Sequence, residues 1–238
     1  MSGLKDKVII ITGAMGNLGH AAATRVQAQG GKTILVDRSS DRLQKTWGEL
    51  KDPSRHWLAG GVDMTDPKAV NAMAAEAHRR FGRLDGLVNT VGGFRGGKPV
   101  HEADLSEWDF LYDINVRATL NACRAVIPYM LKAQSGRIIN VASRNAFQGS
   151  PNYAAYSAAK TAVLRLTESL AGELKTRGIN VNCIVPGTID TPQNREAMPK
   201  ADFSTWVPPG DLANVIAFLL SDDARSVTGA AVPVYGRS

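Results

Sequence analysis

Short apolar runs alternate along the chain with longer stretches in which apolar residues recur every three to four positions. Seven runs are rich in β-branched residues, which is typical of strands buried on both faces of a parallel sheet. The predicted strands are 8–12, 33–37, 57–62, 86–89, 137–142, 180–184 and 231–234. The predicted helices cover about 17–29, 39–50, 67–81, 106–133, 152–176 and 209–221. Because this alternation requires right-handed crossovers, it predicts an α/β fold: a Rossmann-like doubly wound sheet of about seven parallel strands with helices on both faces.

Helix-end signals agree with this division. Gly30 and Gly178 follow two predicted helices at the position where glycine commonly ends a helix. Asp66, which is followed by proline, and Ser106 stand where cap residues begin the next helices. Asn17 is a candidate cap for the helix predicted at 17–29.

Composition predicts one ordinary globular domain over residues 1–238, because no repeat or linker divides the chain. The two cysteines, Cys123 and Cys183, lie in separate apolar runs without a CxxC motif or a His/Cys cluster. We therefore expect two buried thiols in a reducing compartment and no metal site. The N-terminal apolar run is too short for a signal peptide or a membrane span, which predicts a cytoplasmic protein without membrane contact.

The net charge of +6 comes from 28 basic and 22 acidic residues. The basic residues are scattered and are not interleaved with aromatic residues, so we expect no nucleic-acid partner. A modest field that favours an anionic substrate or cofactor is the remaining interpretation.

A glycine-rich segment, TGAMGNLG, follows the first predicted strand directly and opens a helix. Gly13 permits a tight turn, Gly16 lets the backbone approach a pyrophosphate, and Gly19 allows close packing of the helix on the sheet. The helix N-terminus then offers free N–H groups to phosphates. This context predicts a dinucleotide-binding loop, with a glycine-rich turn that binds nothing as the alternative.

The second strand ends in Asp37, where a carboxylate would accept hydrogen bonds from the adenosine ribose. A carboxylate there repels the additional phosphate of NADP, which favours NAD. Arg38 leaves NADP open, because a guanidinium can bind that phosphate. Arg38 is equally consistent with a solvent-facing partner of Asp41.

Tyr156 and Lys160 are four residues apart and therefore share a helix face. An adjacent ammonium stabilises a phenolate, so the tyrosine can exchange a proton with a substrate hydroxyl. Ser143 follows the fifth strand, at the edge of the sheet where ligands bind, and can donate to the substrate oxygen. Asn115 interrupts an apolar helix face, either as a kink or buried link between helices or as a bend that holds a water on a proton path to Lys160.

In this order the residues resemble the short-chain dehydrogenase/reductase family over essentially the whole chain. The resemblance rests on TG-x-x-G-x-x-G, Asp37, Asp63, the segment 89–92, Asn115, Ser143, the Tyr156–Lys160 pair, Pro186-Gly187 and Thr191. It implies a catalytic tetrad of Asn115, Ser143, Tyr156 and Lys160. It also implies cofactor contacts at Gly13, Met15, Asn17, Leu18, Gly19, Asp37, Arg38, Val62, Asp63, Asn89, Gly92, Tyr156, Lys160, Pro186, Ile189 and Thr191.

Four departures separate the chain from the usual pattern. Gly16 takes the place of a glycine one residue later, as in the family's longer branch that processes sugar nucleotides. NTVG replaces NNAG at 89–92. The segment after it is rich in glycine, which implies a backbone that is mobile or closely approached. The substrate lid, about 190–207, is short. Asp63 has a second interpretation, as a cap of the next helix.

The resemblance implies an NAD(P)-dependent oxidoreductase that acts on a small carbonyl or alcohol as a homotetramer. Reduction of an imine, a pterin or an enone, and a non-catalytic dinucleotide sensor, are the alternatives. Arg95, Arg144 and Arg195 are candidates for binding a carboxylate or phosphate on the substrate. The other pocket candidates are Phe94, Asn145, Phe147, Gln148, Asn152, Tyr153, Gln193 and Asn194.

Overall fold

A single parallel sheet organises the chain, as a computed structural model that describes residues 3–237 shows. Within those residues the strands are β1 (Val8–Thr12), β2 (Lys32–Asp37), β3 (His56–Gly60), β4 (Gly86–Asn89), β5 (Gly136–Val141), β6 (Ile179–Pro186) and β7 (Ala231–Val234). They pair in the order β3-β2-β1-β4-β5-β6-β7. The predicted fold class is confirmed. The order reverses between β1 and β4, which creates the crevice at the carboxyl ends of the strands where ligands of such sheets bind.

Helices cover both faces of this sheet. They are α1 (Asn17–Ala28), α2 (Ser40–Trp47), α3 (Pro67–Phe81), α4 (Leu105–Tyr112), α5 (Ala118–Ala133), α6 (Ala154–Leu174), α7 (Pro192–Ala197) and α8 (Pro209–Leu220). Successive residues of β1 alternate between two apolar layers. Val8 and Ile10 join the layer that contains α3 and α5, whereas Ile9 and Ile11 join the layer that contains α1 and α8. This alternation explains why the strands are apolar throughout.

Three predicted helices have clearly different bounds. The helix predicted over 39–50 is shorter, at Ser40–Trp47. The stretch 106–133 is not one helix, because a π-helical turn at Asp113–Arg117 separates α4 from α5. The helix predicted over 152–176 begins at Ala154, since Asn152 has a φ of 66°, which the right-handed helix does not allow. Gly30 and Gly178 follow their helices in the left-handed conformation, with φ values of 79° and 72°, as predicted.

The bounds of four strands also change. The second begins one residue early, at Lys32, and the fifth lies one residue earlier than predicted, at Gly136–Val141. The third predicted strand, 57–62, ends at Gly60, because Gly61 has a φ of 78° that turns the chain out of the sheet. Val62 and Asp63 therefore lie beyond β3. The sixth strand extends to Pro186 rather than ending at Ile184.

Only one of the three predicted helix caps is confirmed. Asp66 caps α3. The prediction for Ser106 is wrong: Asp104 caps α4, and its carboxylate accepts a hydrogen bond from the Ser106 amide at 2.8 Å. The prediction for Asn17 is also wrong, because Gly16 occupies the cap position and Asn17 is the first helical residue.

Both cysteines are buried free thiols, as predicted. Burial raises the pKa of Cys123 to about 12 and that of Cys183 to about 11, so neither thiol is a nucleophile at neutral pH. Between residues 3 and 237, the helices are all too short or too polar to cross a membrane.

Candidate active site

The glycine loop joins β1 to α1 with little space between them. Gly13 has a φ of 67°, which favours glycine, and a Cβ added at Gly19 would overlap the Gly13 carbonyl. The first hydrogen bond of α1 runs from the amide of His20 to the carbonyl of Gly16, at 2.8 Å. The amides of the three residues before His20 therefore have no hydrogen-bond partner within the helix. Because Gly16 has no side chain to cap them, the positive end of α1 is open to an anion.

Asp37 lies beside this loop at the end of β2. Its carboxylate accepts hydrogen bonds from the amide of Met15 at 3.3 Å and from that of Ser39 at 3.1 Å. Asp37 therefore lies next to the open N-terminus of α1, and its contact with the ribose of an adenosine stays a prediction. Arg38 is exposed, and within the described part of the chain it forms no ion pair with Asp41, so that interpretation is wrong.

The segment after β3 returns to the same edge of the sheet. The amide of Val62 donates to the carbonyl of the last residue of β2, at 3.2 Å. The Asp63 carboxylate accepts hydrogen bonds from the amide and the hydroxyl of Thr65, at 2.8 and 2.7 Å. These two bonds hold the pKa of Asp63 below its ordinary value. Asp63 does not cap α3, a position that Asp66 takes, so its second interpretation is wrong.

Ser143 and Tyr156 meet at the carboxyl end of β5. Ser143 follows that strand, Tyr156 lies in the first turn of α6, and the two side chains are hydrogen-bonded to each other. Burial raises the pKa of the Tyr156 phenol, and the bond to Ser143 opposes this shift. The phenol is therefore neutral in the protein alone, and a nearby positive charge is needed to form the phenolate near neutral pH.

Lys160 supplies such a charge one turn further along α6. Its ammonium lies 5.8 Å from the centre of the Tyr156 ring and donates to the carbonyl of Val141 at 3.0 Å. Burial lowers the pKa of Lys160 to about 8, so the ammonium is still the main form at neutral pH. The Val141 carbonyl orients the ammonium, but no sequence signal identifies a backbone acceptor of this kind.

Asn115 lies in the π-helical turn between α4 and α5 and is 1% exposed. Its Nδ2 donates to the carbonyls of Leu111 at 2.9 Å and Gly93 at 3.0 Å, and its Oδ1 accepts from the Gly93 amide at 3.2 Å. Its own carbonyl accepts the Thr119 hydroxyl at 2.8 Å. These bonds support the interpretation of Asn115 as a kink and buried link, which attaches the loop after β4 to the helix. Its water-holding role stays a prediction.

The two predicted cofactor contacts after β4 have different surroundings. A Cβ at Gly92 would lie 2.8 Å from Asn115 Oδ1 and 3.3 Å from Lys160 Nζ, so only glycine fits between these side chains. The Asn89 side chain is instead buried in the sheet and donates to Asn140 Oδ1 at 2.9 Å. The sequence analysis missed Asn140, whose signal is an amide within the apolar fifth strand.

Three predicted cofactor contacts lie at the end of β6 and after it, and the family resemblance predicts that they hold the nicotinamide ring and its carboxamide. Pro186 is the last residue of β6, and Ile189 forms an isolated parallel bridge with Val207. Thr191 is buried and caps α7, where its hydroxyl accepts from the Asn194 amide at 3.2 Å. A hydroxyl that accepts a hydrogen bond keeps its own proton, so Thr191 still has a donor for a carboxamide.

A hydrogen bond also joins the lid, residues 190–207, to the glycine loop. Asn17 Nδ2 donates to Gln193 Oε1 at 2.9 Å, and both side chains are exposed. Met15 and Leu18 are partly buried and pack, like Ile189, against the apolar layer that contains α1 and α8. The lid therefore reaches the N-terminus of α1, where a phosphate is predicted to bind.

Some of the predicted pocket side chains already contact another side chain, and others are exposed or half-buried. Arg195 binds Asp190 through two hydrogen bonds of 2.6 and 2.7 Å, so it is already neutralised. Arg144 lies over the ring of Tyr235 at 4.6 Å. Phe94 contacts Tyr156 and carries a large exposed surface. The remaining candidates after β5 are exposed or half-buried at the same edge of the sheet: Asn145, Phe147, Gln148, Asn152 and Tyr153.

Comparisons of the sequence and the fold with known proteins agree with this arrangement of strands and site residues. The family model described as short chain dehydrogenase matches residues 7–202. Levodione reductase of Leifsonia aquatica is 34% identical over 97% of this chain and 93% of its own length. The 2-(S)-hydroxypropyl-CoM dehydrogenase 3 of Xanthobacter autotrophicus is 34% identical over 98% of this chain and 96% of its own. A crystal structure of levodione reductase superposes with a TM-score of 0.90 at 32% identity, covering 98% of this chain and 97% of that chain.

Proposed function

The chain belongs to the short-chain dehydrogenase family, and its relatives include a dehydrogenase and a reductase, so we propose that it interconverts a carbonyl and an alcohol with NAD. The observation that carries the proposal is the group formed by the Ser143 hydroxyl, the Tyr156 phenol and the Lys160 ammonium at the carboxyl edge of the sheet.

The residues along this edge fit a nicotinamide dinucleotide. Apart from the Gly13 carbonyl at 3.3 Å, a Cβ at Gly16 would meet no described heavy atom within 4 Å, which leaves room for a phosphate at the open end of α1. Asp37 would accept from the adenosine ribose, and its charge favours NAD over NADP. Lys160 would hold the nicotinamide ribose. When bound, the cofactor supplies or takes up the hydride. The other proposed contacts are Gly13, Met15, Asn17, Leu18, Gly19, Arg38, Val62, Asp63, Asn89, Gly92, Pro186, Ile189 and Thr191.

Proton transfer is the part of the reaction that this chain performs. In reduction, the Ser143 hydroxyl donates a hydrogen bond to the carbonyl oxygen, and Tyr156 gives its proton to that oxygen as hydride reaches the carbon. In oxidation, the Tyr156 phenolate takes the proton from the hydroxyl. The Lys160 ammonium favours the phenolate by its charge, and Asn115 holds the loop that borders the substrate.

The proposal extends to the rest of the chain. Residues 1–238 form one dinucleotide-binding catalytic domain, and residues 190–207 are its short substrate lid. The homotetramer implied by the family would form through α5 and α6, and a cytoplasmic location stays a prediction.

A panel of ketones, imines, pterins and enones, assayed with NADH and NADPH, tests this proposal when wild type is compared with Tyr156→Phe. We expect ketone reduction with NADH, and a loss of about 10³-fold in kcat for the variant, with the Kd for NADH unchanged. Tyr153→Phe is the matched control, since this tyrosine lies just before α6, and it should keep most of its activity. Turnover that survives in Tyr156→Phe would contradict the proposal, as would dinucleotide binding without turnover in the wild type.

A further inference from the structure

The loop after β4, residues 92–98 and here called the front loop, is attached at both ends to segments that carry the tetrad. Gly93 exchanges two backbone hydrogen bonds with the Asn115 side chain. The Gly97 amide donates to the Asn152 carbonyl at 3.0 Å, and a Cβ at Gly96 would overlap the Tyr153 ring. Of the two explanations for its glycines, close approach is therefore the one that the contacts support. The front loop is a wall of the cleft with a defined position.

Phe94 forms the apolar part of this wall. Its ring meets the Tyr156 ring edge to face, with centres 5.0 Å apart and planes at 85°, and meets Tyr153 at 5.1 Å. It nevertheless remains 57% exposed. A large aromatic side chain that is held beside the proton donor and left open to solvent is suited to contact an apolar group on the substrate.

Arg95 forms the charged part of the wall. Its guanidinium lies over the ring of Phe110, 3.6 Å from the ring centre. Stacking engages the face of a guanidinium and leaves its N–H donors, which point outward in the plane, available to an anion. Within residues 3–237, no carboxylate lies within ion-pairing distance of Arg95, in contrast to Arg195, which Asp190 neutralises.

We propose that Phe94 and Arg95 select substrates in which an aromatic or cyclic group adjoins the reacting carbon and an anionic group lies beyond it. The inference rests on the proposed function, because it concerns the substrate of the same site. Phe94 contacts the ring of the substrate, and Arg95 binds the anion through charge-assisted hydrogen bonds. The net charge of +6 adds a weak attraction for such an anion at a distance.

The test compares reduction of para-acetylbenzoate with reduction of its uncharged methyl ester. We expect wild type to prefer the acid by about tenfold in kcat/KM, and Arg95→Gln to remove this preference while leaving the ester unchanged. Arg95→Lys should keep part of it. Phe94→Ala should lower kcat/KM for both compounds. Arg177→Gln is the matched control, because it removes the same charge from an exposed position just before β6, at the opposite edge of the sheet.

Three results would overturn the inference. The inference is wrong if wild type shows no preference for the acid. It is also wrong if Arg95→Gln loses activity equally on acid and ester, or if Arg177→Gln loses the preference. In each of these cases ketone reduction itself continues and the proposed function survives. If wild type reduces no compound of the panel of ketones, imines, pterins and enones, the proposed function is wrong, and the proposed selection of aromatic anionic substrates is wrong with it.

Discussion

The front loop and the lid border the same cleft but are held in different ways. The front loop is bonded to Asn115 on one side and Asn152 on the other, both distant in sequence. Many bonds of the lid lie within the lid itself, including the pair of Asp190 with Arg195. Its link to the glycine loop is an exposed hydrogen bond between Asn17 and Gln193.

This difference indicates which segment moves. A segment attached by a few hydrogen bonds that are exposed to solvent opens locally at small cost. A segment bonded to a buried side chain, as the front loop is to Asn115, opens only when that bond breaks. We therefore expect the front loop to set the shape of the substrate pocket and the lid to control entry and release of the cofactor.

Among changes to these two segments, Asn115→Ala, which alters the attachment of the front loop, is expected to have the largest effect. The substitution leaves the amide and carbonyl of Gly93 without their buried partner, so the front loop and the π-helical turn lose their common anchor. We expect kcat/KM to fall by about 10²-fold, because misplacing groups at the reacting centre is costly. The free energy of unfolding should fall by about 2 kcal/mol. Steady-state kinetics and denaturant unfolding measure the two effects.

The matched control is Asn180→Ala at the amino end of β6. The Asn180 amide also anchors a loop, through the carbonyls of Arg225 and Val227 at 2.9 and 2.8 Å. It should lose comparable stability and keep its activity. Equal activity losses in the two variants would mean that general destabilisation, and not the position of the front loop, explains the result for Asn115.

The pH dependence of ketone reduction is expected to give the next largest effect. Burial lowers the pKa of Lys160 from 10.5 to about 8, so the ammonium is present below about pH 8 and is lost above it. Reduction also consumes the Tyr156 proton. We therefore expect kcat/KM for reduction to fall as the pH rises through about 8, approaching tenfold per unit. Profiles recorded with saturating NADH, and with its Kd measured at each pH, test this; a flat or rising profile contradicts it.

The smallest effect is expected from substitutions that remove the hydrogen bond between the lid and the glycine loop. Asn17→Ala or Gln193→Ala removes one exposed hydrogen bond, so NADH should dissociate about threefold faster, with little change in kcat/KM for the ketone. Stopped-flow measurement of NADH release gives this rate. The double variant should match Asn17→Ala, because Gln193 has no bond to Asn17 left to lose once Asn17 is replaced. Additive effects would show that the two side chains act separately.

The sequence predicted the sheet better than it predicted the loops, for a physical reason. The strands are apolar because both faces are buried, so each run carries its own signal, as the five buried residues of β1 illustrate. The anchors of the front loop are contacts between distant residues. Nothing local to Asn115 indicates that its side chain bonds Gly93, and nothing near Gly97 points to Asn152.

The helix ends illustrate the same limit. Ser106 and Asp104 are both good cap residues, and only the path of the chain decides between them. Asn17 has the chemistry of a cap, but the chain turns one residue earlier and its amide reaches the lid instead. The family resemblance predicts that Ser143, Tyr156 and Lys160 lie close together, and the structure brings them together. The Val141 carbonyl that orients Lys160 was not predictable, since every residue has a carbonyl.

In the proposed mechanism, the pKa of Tyr156 must change when the cofactor binds. This change can be measured without a substrate. Titration of the tyrosinate ultraviolet absorbance, with and without saturating NAD⁺, follows the phenol directly. Without cofactor, burial keeps the Tyr156 pKa above its ordinary value of 10.0. We predict that NAD⁺ shifts one tyrosine to titrate well below that value, and that Tyr156→Phe abolishes the shift. Identical titrations with and without NAD⁺, or a shift that persists in Tyr156→Phe, would contradict the account.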